Sequence, residues 1–433
     1  MNSIADNATL TSPQDSKDLG WLYWWPAGLI VSVLILLPFS RLSAVPVAVM
    51  MLAGIVLMFR VSAQFWQRPS VRLFLGLLLA FVLPSLFSCF DAVQPARSWQ
   101  SSLAFLRFLP VGLFVIYHLA DSRQRLALWR IVSALVVFWC IDALIQVSLG
   151  RNLLGMPMST DRLNGLFGQT NIKLGHVLAV LAPIPLEYAR RFLPKAVLWA
   201  VLGLLLAVIV LVSTRAAWIM FGLVLLAYVY LYAKGRPRRW LKAGVILMTV
   251  ASATLVMGYH LSPSLAERFD RSLLVLEGDA DSVDRALGWR LPIWRTSLSM
   301  IAAHPVNGVG TRGFRYAYPE FAQDNDRWLG GRGDTGAAHA HQIVLEVLTE
   351  TGVLGFVGLL LALTLAWRHW RSLPVRAKHA VLPFALALGV MVFPINTHLA
   401  FYSTFWSLLC WWLVMVYCGF SQTGHRSESL LDA

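Results

Sequence analysis

The sequence predicts an all-α integral membrane protein of about twelve transmembrane helices, interrupted by one large loop that contains amphipathic helices. Three observations carry this. Of 433 residues, 58% are hydrophobic and 13% charged, about half the charged share of an ordinary soluble domain (roughly 25%). The apolar residues gather into runs near the ~20 residues that cross a hydrocarbon core. Eighteen Trp and 23 Phe supply rings that suit membrane interfaces. A soluble globular protein is thereby excluded.

The elements follow in order. Residues 1–20 form a polar N-terminal tail, without a basic stretch directly before a short apolar core, so no removable signal peptide is expected. Nine spans follow between 21 and 259, at 21–40, 43–59, 72–90, 101–120, 127–149, 172–189, 195–213, 215–233 and 241–259. Pro183 and Pro185 interrupt the sixth. Residues 260–340 form the large loop. Three more spans, at 341–367, 379–397 and 400–420, precede a tail at 421–433. Cys89, Cys140, Cys410 and Cys418 all lie in apolar stretches without metal-site spacing, and read as small buried hydrophobes.

Charge orients the chain. The net charge is +14, and it sits in short clusters between apolar runs, which is a topology signal before it is a sign of anionic partners. No nucleic-acid partner is expected. The even-numbered connections hold 18 basic residues and the short odd-numbered ones 6. The positive-inside bias then puts the even connections and both tails in the cytoplasm. The 260–340 loop lies on the opposite, periplasmic side. It carries nine Arg and ten Asp/Glu, and a structureless loop of that length is uncommon unless functional. Leu265, Phe269, Leu273 and Leu276 fall near one helical face of 262–276. Trp289, Ile293, Trp294, Leu298 and Ile301 do so in 289–303. Both segments read as amphipathic helices lying over the bundle; a small cap without chemistry is the alternative.

Polar residues at membrane depth are functional hypotheses by default. Arg107 and Asp142 either pair as a lock between the fourth and fifth spans or meet substrate. Arg215 stands at the rim of the eighth span, where a guanidinium fork suits a lipid-linked phosphate; snorkelling to headgroups is the plain alternative. In the loop, Arg290, Trp294 and Leu298 share a face and Arg295 lies beside it. Gly308-Val309-Gly310-Thr311-Arg312-Gly313 reads as a tight turn whose backbone N–H groups suit a phosphate. No Walker-type motif occurs, so ATP hydrolysis is not supported. His339 and His341 stand at the mouth of the tenth span, with Glu346 and Glu350 behind them. Histidine is suited to proton exchange near neutral pH; a zinc site lacks a third ligand at the usual spacing. Asp279-Ala280-Asp281 and Asp324-Asn325-Asp326 could hold a divalent cation, but such strings are common on solvated loops. No metal and no cofactor are expected.

These residues resemble a known family. His341-Gln342, nine residues and Gly352-Val353-Leu354-Gly355 is similar to the signature of bacterial O-antigen ligases. Phe356-Val357 depart from the threonines that often follow. Arg290-x-x-x-Trp294 with Pro305-x-x-Gly308-Val309-Gly310 resembles the large periplasmic loop of the wider ligase and polymerase superfamily. Ser213-Thr214-Arg215 resembles its helix opening, and 162–171 (RLNGLFGQTN) a further segment, more weakly. The resemblance implies a GT-C-type, inverting glycosyltransferase of the bacterial inner membrane, independent of ATP and metal. Its donor would be undecaprenyl-diphosphate-linked O-antigen and its acceptor a sugar hydroxyl of lipid A–core, both held among membrane lipids in lipopolysaccharide biosynthesis. Arg215, Arg290, Arg295 and Arg312 would bind the donor diphosphate, with His341, or His339, as the base. The alternatives are an O-antigen polymerase or protein O-oligosaccharyltransferase of the same superfamily, and, outside it, a lipid or polysaccharide transporter, although no paired repeats appear.

Overall fold

A computed structural model describes residues 23–159, 163–168, 173–233, 263–329, 336–394 and 399–422, with Gly20 and scattered positions between 238 and 260. Among these residues there is no β-strand. The helices are α1 (Trp25–Ile35), α2 (Ala44–Met58), α3 (Ala63–Gln67), α4 (Pro69–Phe87), α5 (Pro95–Phe105), α6 (Phe108–His118) and α7 (Ser122–Leu149). Next come α8 (Leu174–Leu181), α9 (Pro183–Phe192), α10 (Lys195–Leu211) and α11 (Arg215–Ala233). The loop contributes α12 (Pro263–Leu273), α13 (Ala280–Leu287), α14 (Leu291–Ala303) and α15 (Phe314–Phe321). The chain closes with α16 (Ile343–Ser372), α17 (Val375–Met391) and α18 (Thr404–Phe420).

Among the described residues, six stretches are long and apolar enough to cross a membrane: Arg41–Met58, Pro69–Phe87, Pro95–His118, Ser122–Leu149, Arg215–Tyr232 and Ile343–Ser372. Trp25–Ile35, Lys195–Leu211 and Thr404–Phe420 are apolar but shorter. The protein is therefore a multi-pass, all-helical membrane protein. The expected ninth span, 241–259, lies mostly outside the described residues. The expected sixth span is two short helices, α8 and α9, meeting at Ala182–Pro183. Pro183 has no N–H for the helical ladder, so the segment divides there.

Helix α16 lies along α4, α2 along α6, and α17 and α6 along α18. Fully buried rings, among them Trp129, Trp139, Trp406, Phe74, Phe108 and Phe114, fill the space between the helices. The four cysteines are buried and free. Arg107 and Asp142 do not form the expected lock. Arg107 stacks its guanidinium 5.0 Å from the Phe108 ring, and Asp142 accepts the Leu153 N–H at 2.9 Å. The break between α5 and α6 at Leu106–Arg107 leaves Arg107 beside its own neighbour, and the turn after α7 folds back to take Asp142.

The amphipathic reading of the loop matches α12 and α14. The loop also has a small core of its own, built by Ile293, Met300, Val309, Phe314, Tyr318 and Ala340. Leu345 of α16 packs against it, so the loop is seated on the start of that helix.

Candidate functional site

The site begins with a break in a helix. Gly352 lies inside α16 at φ 61°, ψ −160°, a region that only glycine enters easily. The break frees two N–H groups from the helical ladder. Val353 donates to the Pro305 carbonyl at 2.8 Å and Leu354 to that of Val306 at 3.1 Å. A Cβ on Gly352 would sit 2.2 Å from the Val306 oxygen. From the other side Val309 N–H donates to the Thr349 carbonyl at 2.8 Å, and a Cβ on Gly308 would meet the Glu350 backbone at 2.5 Å. The Pro305-x-x-Gly308 and Gly352-x-x-Gly355 motifs are thus two halves of one backbone joint, which binds the loop to the membrane helix.

This joint uses the donors that the sequence offered to a phosphate. Gly308 N–H donates to His304 and Gly313 N–H to Gly310. Thr311 N–H donates to Ser88 Oγ at 3.1 Å and Arg312 N–H to Glu350 Oε2 at 2.7 Å. The glycine-rich turn is a wedge between helices, because close backbone approach leaves no room for an anion at those groups.

Above the joint stands the histidine loop. The His339 and His341 ring centroids are 3.8 Å apart; His339 is buried and His341 half-buried. His341 has φ 57°, an uncommon conformation for a residue with a side chain. Gln342 holds it there. As N-cap of α16 its side-chain oxygen accepts from Leu345 N–H at 2.6 Å, and its amide donates to the Pro394 carbonyl at 2.8 Å. From the loop side, Trp294 Nε1 donates to the Ala340 carbonyl at 3.2 Å, between the two histidines. The tryptophan of Arg290-x-x-x-Trp294 therefore positions the histidine loop, and one helical turn, about 5.4 Å, separates that contact from Arg290.

Arg290 and Arg215 come together. A Cβ built on Gly288 would be 3.1 Å from a terminal nitrogen of each guanidinium, so those nitrogens are separated by at most twice that distance. Arg215 donates to the Ala286 carbonyl and to Ser272 Oγ at 3.2 Å. Arg290 donates to the Leu287 carbonyl at 2.6 Å, while its Nε is buried without a partner. Burial first, and then the Arg215 charge, push Arg290 down to about 10. Among the described residues no carboxylate forms an ion pair with either arginine. Two like charges held together without a counter-ion make a site for an anion.

Residues that the pattern did not single out build this pair. Arg268 of α12 donates to the Ser213 carbonyl at 2.7 Å, anchoring α12 over the start of α11. Arg268 and Arg271 both act electrostatically on Arg215. Asp284 accepts the Leu291 N–H at 2.9 Å and so fixes the Gly288–Arg290 turn. No spacing rule links Arg268 to Arg215; only the fold of α12 over α11 does.

The other nominated arginines stand apart from the pair. Arg295 is exposed on α14. Arg312 belongs to a second basic group with Arg315 and Arg97, next to the buried Glu350. Burial, then the Arg312 charge, push Arg315 below the ordinary guanidinium value. The Asp-x-Asp strings have structural partners. Asp279 caps α13, accepting Ser282 N–H at 2.9 Å, and those backbone and side-chain hydrogen bonds hold its carboxyl below the usual range. Asp326 accepts from Tyr318 Oη at 2.7 Å and Trp328 N–H at 2.9 Å.

Fold and site thus define a class: an all-helical protein with several helices of membrane-crossing length, in which a packed loop brings Arg290 to Arg215 beside a clamped histidine loop. The model of a family described as O-antigen ligase matches residues 200–360, and over that stretch the chain is similar to this family. That match spans Arg215, Arg290 and both histidines. A comparison with curated proteins gives no match. Of the segment at 162–171, Arg162 and Gln169–Asn171 lie outside the described residues.

Proposed function

We propose that this protein is an O-antigen ligase of the bacterial inner membrane. It would transfer O-antigen polysaccharide from undecaprenyl diphosphate to a sugar hydroxyl of lipid A–core, at the periplasmic face, with inversion and without metal or ATP. One observation carries the reading: Arg215 and Arg290 lie together with no carboxylate partner among the described residues, one helical turn from the tryptophan that holds the histidine loop. Glycosyl transfer from a lipid diphosphate needs positive charge at the departing diphosphate and a base at the acceptor hydroxyl. Fixed arginines supply the first, Arg215 and Arg290 directly and Arg268 and Arg271 around them. Arg295 and Arg312, apart from the pair, have no part in this reading. A neutral histidine supplies the second. His341 is the base, since it precedes the N-cap of α16, where the positive end of the helix dipole favours the uncharged ring; His339 is its close neighbour, the two rings tilted by 43°.

The reaction in words is an attack by the acceptor oxygen on the anomeric carbon. The proton passes to His341, the bond from that carbon to the diphosphate oxygen breaks, and its electrons stay on the diphosphate. Reconstitution tests the assignment. Purified protein in liposomes, with undecaprenyl-diphosphate glycan and lipid A–core in EDTA and without nucleotide, is expected to yield glycosylated lipid A–core. Product formed only on a second lipid-linked glycan would make the protein a polymerase, and product formed only on a peptide a protein glycosyltransferase.

A further inference from the structure

An apolar groove of about 150 Å³ runs between α4, α16, α17 and α18, and the transfer chemistry does not use it. On α16 its floor is Gly355, Gly358, Leu359, Ala362, Leu363 and Ala366, a run at three- and four-residue spacing in which small side chains make the furrow. From Gly355 to Ala366 the helix rises roughly 16 Å, about half of the ~30 Å hydrocarbon core. The groove is therefore one leaflet deep. Phe81 and Pro84 of α4 and Trp411 of α18 form its walls, and the exposed Leu363 lies along its length.

Polar groups stand in the groove and beside its loop end. Ser407, buried on the first turn of α18, lines it, and its hydroxyl has no hydrogen-bond partner. A buried hydroxyl left unpaired is unfavourable, so an occupant with an oxygen at that depth is favoured. At the loop end, Thr311 Oγ1 bonds Ser85 Oγ at 2.8 Å and Ser88 Oγ at 3.0 Å, which seats Arg312 over the last turn of α4, directly beyond Pro84. Arg315 and Arg97 stand beside Arg312. Three guanidiniums thus gather beyond the loop end of α4, the helix that walls the groove, with the carboxyl groups of Glu346 and Glu350 buried near them. This basic group is separate from the Arg215–Arg290 pair.

We propose that the groove holds one acyl chain of the acceptor lipid, with Arg97, Arg312 and Arg315 meeting a phosphate on its head. The inference rests on the transferase reading and assigns the second substrate its own place. Three observations select an acyl chain over a polyprenyl chain. The groove is as deep as one leaflet, its unpaired hydroxyl matches an ester or hydroxyl oxygen that a polyprenyl chain lacks, and the basic group beyond the loop end of α4 is distinct from the pair assigned to the donor. Both lipids then approach the histidine loop from different sides of the loop.

The test uses full-length protein in nanodiscs and separates KM for the two substrates. Ala362→Phe and Ala366→Phe fill the furrow at half-exposed positions, and Arg315→Ala removes a charge from the basic group. Each is expected to raise the KM for lipid A–core at least tenfold and leave the KM for undecaprenyl-diphosphate glycan within twofold. With a dephosphorylated acceptor, Arg315→Ala is expected to have no further effect. A raised donor KM in the Phe variants would give the groove to the polyprenyl chain, and unchanged constants for both substrates would leave it to bulk lipid; either overturns the proposal. Native mass spectrometry with lipid A–core alone reads the groove independently of turnover. Binding lost in Ala362→Phe with no transfer by the wild type would overturn the transferase reading and keep the groove; transfer with lipid A–core binding intact in both Phe variants would overturn the groove.

Discussion

Replacing Arg290 by methionine separates a charge held for a ligand from a charge held for the fold. The guanidinium nitrogens of Arg215 and Arg290, each 3.1 Å from one point, carry like charges no more than about 6 Å apart. At an effective dielectric of about 20 their repulsion is about 3 kcal/mol, and under 1 kcal/mol where water screens it. Methionine removes this repulsion. It also removes the bond from Arg290 to the Leu287 carbonyl at 2.6 Å, and hydrogen bonds of charged groups contribute about 1.5–3 kcal/mol. The two effects oppose each other and nearly cancel, so the Tm of the ligand-free variant is expected within a few degrees of the wild type. Nothing cancels when the donor is bound. Loss of a buried charge partner typically costs about 2–5 kcal/mol, so affinity for undecaprenyl-diphosphate glycan is expected to fall by roughly 30-fold or more. Equilibrium titration in detergent and thermal melts with and without donor read the two quantities on one sample. Arg215→Met is expected to act alike, and the double variant to lose less than the sum of both, because they share a ligand. Donor affinity within threefold of the wild type, or a melt lowered by ten degrees or more, would refute the assignment and make Arg290 a structural residue.

Other outcomes are expected from the same geometry. Trp294→Phe keeps a ring but leaves the buried Ala340 carbonyl without its donor; at about 1–3 kcal/mol for such a loss, turnover is expected to fall about tenfold while donor KM holds, and an unchanged kcat would detach α14 from the histidine loop. His341→Ala is expected to cut turnover by about 10² or more with donor binding retained, and His339→Ala to act more mildly. Loss of turnover in His339→Ala alone would exchange their roles. Asp279→Ala with Asp281→Ala removes the α13 cap and is expected to lower stability slightly, measured by denaturation, with transfer in EDTA intact; a metal requirement restored by those aspartates would make them ligands. An alkaline phosphatase fusion after Gly310 is expected to be active and one after Arg238 inactive, and the reverse pattern would put the site in the cytoplasm.

Much of this protein is legible in its sequence, for identifiable reasons. Apolar runs of membrane length need no partner to declare themselves, because the bilayer selects for them one helix at a time. They give most of the bundle, and two proline residues mark where α8 and α9 divide. The amphipathic periods of α12 and α14 are local in the same way. Residue types with few other uses at a membrane rim point to Arg215, Arg290 and the histidines. Pairing is not legible, because it depends on which faces meet. Arg107 and Asp142 sit at plausible depths yet find other partners. The glycine-rich turn reads as a phosphate cradle, whereas its N–H groups close a joint with a helix broken at Gly352, some forty residues later. Arg268 joins Arg215 only because α12 folds over α11. Trp294 governs the histidine loop only because α14 packs on the start of α16. The sequence alone determined the membrane class, the loop and the kinds of chemistry present. Tertiary structure decided which arginines stand together and what holds the histidines, since hydrogen bonds and charge pairs act over a few ångströms, and that proximity is created by packing.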